Sequence, residues 1–313
     1  MRKPQQPSTE SARSERHSPS LARVPRALSI AGSDSGGGAG IQADLKAFAA
    51  CGVHGMTAIT AITAQNTVGV TGVHTVPPET ILAQVRAVSS DIGVDAVKIG
   101  MLGNAETVAA VAAALDELPT GTPVVLDPVM VAESGAQLLD SAARAALTQL
   151  LLPRATMITP NVPEARALVA EADASGTAAA HAATATTNTQ GRRVPQTGEE
   201  DLAALARRLH ALGPKVVIIT GGHRRAAIDV FYDGHTLLEI PGERHPDGAA
   251  HGSGCTHSSA LAAALAWGEE PLDAARSAKA IASGAVAAGL SEIGAGAGPV
   301  DAIGLPGRAL TRQ

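Results

Sequence analysis

The run Ala250-His-Gly-Ser-Gly-Cys-Thr-His257 places a glycine-rich turn, a cysteine and a helix start within eight residues. Gly252-Ser253-Gly254 leads into a string of small residues, Ser258-Ser-Ala-Leu-Ala-Ala-Ala-Leu-Ala266, that reads as a helix. Such a turn aims several backbone N–H groups at one point, and the helix dipole adds a positive field there. The point suits a phosphate. Cys255 stands at the helix start, where the same field is expected to lower its thiol pKa. An anion cradle with an ionisable side chain inside it is the equipment of phosphoryl transfer. The plainer alternative is a glycine loop ahead of a packing helix.

A cradle of this kind needs a scaffold that brings other polar groups to it. From Arg26 onward, short apolar runs alternate with helical patterns. Residues 27–31, 57–62, 96–99, 123–127, 155–159 and 215–220 read as strands; 41–50, 78–89, 105–118, 141–152 and 199–212 read as helices. The strand runs are nearly continuously apolar, as in strands covered on both faces. Their alternation with helices predicts a parallel sheet between helical layers. Residues 227–231 and 236–240 follow in succession and predict a hairpin at one edge, and two helices, 256–267 and 271–289, close the domain. Residues 1–25, rich in Ser, Pro, Gln, Arg and Glu, are expected to form a disordered tail. Residues 172–198 lack periodicity and are expected to be a mobile surface insertion.

Ligands of open α/β sheets sit beyond the carboxyl ends of the strands, and the residues predicted there are polar or glycine. The first strand leads into Gly32-Ser-Asp-Ser-Gly-Gly-Gly-Ala-Gly40, with five glycines in nine positions, and then a helix carrying Asp44. The others lead into Gln65, Met101, Asp127, Asn161 with Glu164, and Gly221-Gly222-His223. Gln65 could pair with a heterocycle edge or merely satisfy loop backbone. Asp127 before Pro128 could be a turn former. Asn161 with Glu164 could be a capping box or a magnesium site. Cys51 and His223 read as structural.

Composition narrows the class. The 313 residues carry a net charge of −5, and the aromatics are Phe48, Phe231, Tyr232 and Trp267. That argues against nucleic acid as a partner, which needs a basic surface or stacking faces. Two distant cysteines form neither a disulfide framework nor a zinc site and fit a reducing, cytoplasmic setting. No run is long and apolar enough to predict a membrane span, and no signal-peptide core is seen. GxxxxGK[ST], GxGxxG after the first strand, HRD and DFG are all missing, so a phosphate-handling enzyme has to use the late glycine turn.

Gly32–Lys46, Ala64-Gln-Asn-Thr67, Lys98-Ile-Gly-Met-Leu102, Leu126-Asp-Pro-Val-Met130, Thr159-Pro-Asn-Val-Pro-Glu-Ala165, Gly221-Gly-His223 and His251-Gly-Ser-Gly-Cys-Thr256 occur in one order. In these seven motifs the chain resembles the hydroxymethylpyrimidine/phosphomethylpyrimidine kinases of thiamine biosynthesis, in the ribokinase-like superfamily. The resemblance runs from about Arg26 to Val300 and implies a three-layer α/β/α ribokinase-like fold with a mostly parallel central sheet, its kinase domain spanning 26–303. It implies two successive ATP- and Mg²⁺-dependent phosphorylations, of 4-amino-5-hydroxymethyl-2-methylpyrimidine and then of its monophosphate. By similarity, Gln65 binds the aminopyrimidine edge, and Gly32, Asp44 and Met101 line the same pocket. Gly252, Gly254 and Cys255 form the catalytic anion hole, with Cys255 taking or orienting the hydroxyl proton where many sugar kinases have aspartate. Thr220, Gly222 and Ser253 meet ATP, while Asn161, Glu164 and Asp127 help to hold magnesium. A homodimer is implied.

Two departures stand out. Thr220 replaces a lysine that many relatives place before Gly-Gly-His, and Ala249-Ala250 replace Asn-Thr. They keep open a non-catalytic pyrimidine- or nucleotide-binding regulator, beside the nearer rival of pyridoxine or pyridoxal kinase activity.

Overall fold

A computed structural model describes residues 23–131, 135, 137–175, 202–222, 227–246 and 248–308. Most of the expected tail and of the 172–198 insertion therefore lies outside the described residues, as does His223. The start of that insertion is helical: residues 172–174 form the end of α5.

The elements run β1 (Arg26–Asp34), α1 (Gly40–Ala50), β2 (His54–Asn66), β3 (Gly69–Thr75), α2 (Pro78–Asp91), β4 (Ala96–Ile99), α3 (Ala105–Asp116), β5 (Val124–Leu126), α4 (Ser141–Ala146), β6 (Met157–Ile158), α5 (Val162–Ala174), α6 (Leu202–His210), β7 (Val216–Ile219), β8 (Asp229–Tyr232), β9 (Leu237–Ile240), α7 (Ser253–Ala266) and α8 (Pro271–Ala287). The strands make one sheet in the order 3-2-1-4-5-6-7-8-9. β2, β1 and β4 to β7 are parallel; β3 at one edge and β8 and β9 at the other are antiparallel.

Period-two alternation divides the strand side chains between two cores. Leu28, Ile30, Val97, Ile99, Val217 and Ile219 pack toward α2, α3, α5 and α6. Ala27, Val125, Val216 and Ile218 pack toward α1, α7 and α8. Three layers result, as the sequence predicts, and each fully buried Leu or Ile contributes about 1.5–3 kcal/mol to holding them together. α7 is buried from Thr256 to Leu265, and its alanines let it lie close against β1, β4 and β5.

Two elements differ from the sequence reading. β2 runs on past residue 62 and folds back as β3, a hairpin with Ile62 and Val73 half-exposed. Its Gly, Thr and His content hides it from an apolar-run criterion. The helix predicted over 141–152 is α-helical only to Ala146; a π turn covers Leu147–Leu151 and a 3-10 turn Leu152–Arg154. Thr148 Oγ1 donates to the Arg144 carbonyl (2.9 Å), and Pro153 has no N–H to continue the ladder.

Candidate active site

The carboxyl ends of β1, β2, β4, β5, β6 and β7 open into one cleft of about 490 Å³, within the roughly 300–1,000 Å³ common for small-molecule sites. The chain leaves β1 for β2 on one side and later returns to β4 on the other, so the two loops part at the cleft.

The α7 end of the cleft begins at Gly252, the N-cap, with φ of +84°. A Cβ there would run into the Gly38 carbonyl, so only glycine fits. The amides of Gly254 and Cys255 lie in the first helical turn, with no helix carbonyl one turn earlier to receive them. Both residues line the cleft, as do Gly252 and Ser253.

Consecutive serines fasten this turn from below. Ser258 Oγ donates to Asp127 (2.9 Å) and Ser259 Oγ to Asp44 (2.7 Å). Asp44 also accepts from Ser29 Oγ (2.6 Å) and twice from Lys98 Nζ (2.8 and 3.1 Å), and both members of the ion pair are fully buried. This corrects the expectation that Asp44 lines the pocket. α1 turns that face down onto the sheet, where Lys98 rises from β4 on the α1/α7 side, and the carboxylate is spent on the pair. Burial alone would favour the neutral amine, but Asp44, with Asp127 behind it, holds Lys98 above the ordinary lysine range.

The expectation of a lowered Cys255 pKa is also overturned. Burial, reinforced by the negative charges of Asp44 and Asp127, pushes the thiol up to about 12 against the opposing pull of Lys98 and the Gly40 N–H. The helix field is outweighed by desolvation. In a Cys51→Ser background, absorbance at 240 nm should show no thiolate at neutral pH. A titration completed below neutrality would contradict the burial argument.

At the β5–β6 end, Asn161 Oδ1 accepts from the Glu164 N–H (2.9 Å) and Glu164 Oε2 from the Asn161 N–H (3.0 Å). The capping box foreseen as one alternative is thus present, and both residues also line the cleft. Burial and the nearby Asp127 charge push Glu164 up to about 8. Burial likewise raises Asp127, with Lys98 and Ser258 opposing. Asp127 and Glu164 are neighbouring carboxyl groups on one cleft wall, a hard-oxygen donor set that fits Mg²⁺. Among the described residues no three His, Cys, Asp or Glu side chains could cage an ion alone.

At the opposite end lie Gly32, Met101 and Gln65. Gly32 sits in a β1 register shift, and a Cβ there would stand 3.2 Å from Met101 Sδ. Gln65 Oε1 accepts from Thr63 Oγ1 (3.0 Å), which orients the amide. Asp34 shapes the glycine loop. Its carboxylate accepts from the amides of Gly36, Gly38 and Ala39 (2.8, 3.0 and 2.8 Å) and meets His251 Nε2 at 3.2 Å. Burial opposes its ionisation, but His251 and the Ala39 and Gly36 amides win and lower its pKa.

Thr220 and Gly222 line the remaining flank. The Thr220 N–H donates to the Pro160 carbonyl (2.9 Å), joining this loop to the Asn161 cap. The sequence reading brought Gln65, Met101, Asp127, Asn161, Thr220 and Cys255 to one cleft and missed Lys98, Asp34, His251, His257, Asp229 and Lys279. Lys98, a lone charge in an apolar strand, carried a usable signal; Lys279, in the middle of a helix, carried none.

Open helix-start amides at one end of a three-layer α/β/α cleft, with a small-molecule pocket at the other, define a small-molecule kinase of the ribokinase-like class. The phosphomethylpyrimidine kinase family profile matches residues 34–194 and 185–301. The chain belongs to this family. It is 47% identical over 277 residues to the hydroxymethylpyrimidine/phosphomethylpyrimidine kinase of Rhizobium meliloti (strain 1021), covering 88% of this chain and 95% of that one. The Haemophilus influenzae protein of the same name is 44% identical over 289 residues, covering 90% and 97%. Among solved structures, an ADP complex of Bacillus subtilis pyridoxal kinase matches with a TM-score of 0.74 and 36% identity, over 91% of this chain and 99% of that one. The phosphomethylpyrimidine kinase of Clostridium difficile 630 matches with 0.65 and 36%, over 82% and 97%. The chain is a kinase, and ATP use accords with neighbours solved with ADP and AMP-PCP. Among the described residues, no helix is long and apolar enough to cross a membrane.

Proposed function

We propose that this kinase transfers the γ-phosphoryl group of ATP to the hydroxymethyl oxygen of 4-amino-5-hydroxymethyl-2-methylpyrimidine. It then phosphorylates the monophosphate to the pyrophosphate, as a step of thiamine biosynthesis. The observation that carries this reading is the single cleft that joins Gln65 and Met101 at one end to the open α7 amides at the other.

In each transfer an acceptor oxygen bonds to the γ-phosphorus, the bond to the β–γ bridging oxygen breaks, and ADP leaves. The amides at 254 and 255, with Gly252 setting the turn, stabilise charge on the transferring group. Cys255, neutral at rest, orients the acceptor hydroxyl, and the hydroxyl proton passes late to an oxygen of the transferring phosphoryl group, as a loose transition state allows. Thr220, Gly222 and Ser253 bound the nucleotide side. Asn161, Glu164 and Asp127 would hold Mg²⁺, partly through water, and the ion would supply neutralisation of phosphate charge.

A coupled ADP-release assay tests the reading, with the pyrimidine alcohol and its monophosphate as acceptors and pyridoxal and pyridoxine in parallel. ADP release is expected with the first pair; preferential turnover of the vitamin B6 alcohols would overturn the substrate assignment. The pyridoxal kinase neighbours keep that comparison necessary, although the family match favours the pyrimidine. Gln65→Ala should raise KM for the pyrimidine alcohol about tenfold, the scale of a lost hydrogen-bond pair, with kcat little changed. An unchanged KM would move the ring site elsewhere.

Residues 26–303 are proposed as the catalytic domain. A homodimer is the proposed assembly, supported by the half-exposed Ile62, Val68 and Val73 around the β2–β3 hairpin. The two free cysteines support a cytoplasmic setting.

A further inference from the structure

A second buried charge cluster lies on the nucleotide side of the cleft, and the reaction described above does not use it. Asp229, at the start of β8, is 1% exposed. Its Oδ1 accepts from the Gly221 backbone N–H (2.9 Å) and from Lys279 Nζ of α8 (2.7 Å). Its Oδ2 lies 3.4 Å from His257 Nε2. That oxygen and both ring nitrogens of His257 are buried and make no hydrogen bond. Two basic side chains therefore converge on one carboxylate, leaving unused hydrogen-bonding capacity at the cleft wall. All three residues line the cleft beside Thr220 and Gly222.

Lys98, Lys279 and Arg244 are the lysine and arginine side chains that line the cleft, and Arg244 is exposed on the connection after β9. Lys98 is fully buried and engaged with Asp44, whereas Lys279 keeps 12% of its side chain exposed. Thr220, on the loop facing it, is neutral. An ammonium has three N–H donors, and Asp229 occupies one, so two remain for phosphate oxygens. The oxygen that holds the ammonium also holds the Gly221 amide, which fixes the cation relative to the 220–222 loop.

We propose that Lys279 is a nucleotide-phosphate-binding residue of this enzyme, positioned by Asp229 and supplying from α8 the cation that the 220–222 loop lacks. The inference rests on the kinase reading. His257 is the second basic side chain of the cluster, its Nε2 3.4 Å from the other Asp229 oxygen.

Calorimetric binding of ADP and AMP-PCP without pyrimidine separates the inference from that reading. Lys279→Met should weaken both ligands about tenfold, the scale of a lost charge-assisted hydrogen bond, and raise KM for ATP similarly, leaving KM for the pyrimidine alcohol within twofold. Adding Thr220→Lys, which returns an ammonium to the same wall from the neighbouring loop, should recover most of the loss. Lys279→Arg, which keeps charge and ion pair, should retain affinity within threefold. The proposal is overturned if Lys279→Met binds ADP within twofold of wild type. It is also overturned if Thr220→Lys recovers nothing, or if the Arg and Met variants lose affinity equally, because the residue would then be a structural strut. Wild-type protein that binds neither nucleotide would instead sink the kinase reading beneath it.

Discussion

Replacing Cys255 by alanine should lower kcat by a hundredfold or more while leaving KM for both substrates nearly unchanged. The thiol sits in the first turn of α7, beside the amides that would receive the transferring phosphoryl. Misplacing a reacting group by about an ångström costs on the order of 10²-fold, and a lost proton-handling group costs about 10²–10⁴-fold. An interaction felt chiefly in the transition state lowers kcat and kcat/KM together. Folding is not a confounding factor, because a methyl group replaces a thiol in a turn held by Ser258 and Ser259. Retention of more than a third of wild-type kcat would remove Cys255 from the reaction and leave the amides as the whole of the anion site. A neutral resting thiol also predicts that the loss persists across neutral pH, with no limb titrating near 7 that belongs to position 255.

The second large effect concerns stability. Breaking the Lys98–Asp44 pair from either side should destabilise the fold by about 3–5 kcal/mol, because the survivor becomes an uncompensated charge beneath α7. Asp44→Ala strands the Lys98 ammonium among apolar side chains and frees Ser29 and Ser259 from their acceptor. Lys98→Met strands the carboxylate, although its two serine donors remain. The double substitution Asp44→Ala with Lys98→Met should cost clearly less than the sum of the singles, since no charge is left behind. Urea unfolding of the four proteins closes this cycle. Additive losses would mean that the two side chains do not stabilise each other. Asp44→Ala should also lose activity through α7, since Ser259 anchors the helix start to Asp44.

How far the sequence was legible follows from the kind of signal each residue emits. The doubly covered strands announce themselves as unbroken Val, Ile and Leu runs, which is why the parallel sheet and its helical layers match expectation. β3 does not, because a half-exposed edge made of Gly, Val, Thr and His has no such run. The cleft residues stood at strand ends, where a general rule about open sheets looks for them. Asp44 was misassigned because position along a helix does not reveal which way a face turns; its partner Lys98, in the middle of an apolar strand, held that information. The sign of the Cys255 shift was misjudged because a helix terminus is visible in sequence, whereas the burial and the two carboxylates that outweigh it belong to tertiary structure. Asn161 and Glu164 satisfied two readings at once, a cap and a cleft wall, and no local pattern separates them.

Gly252 rests on the main chain of Gly38, with no room for even a methyl group between the two turns. The glycine loop after β1 and the turn that opens α7 are thus pressed together as bare peptide, like two tiles sharing one seam. Neither can be remodelled through its own side chains, so a redesign aimed at a different acceptor has to work from the rims, at Gln65 and Met101.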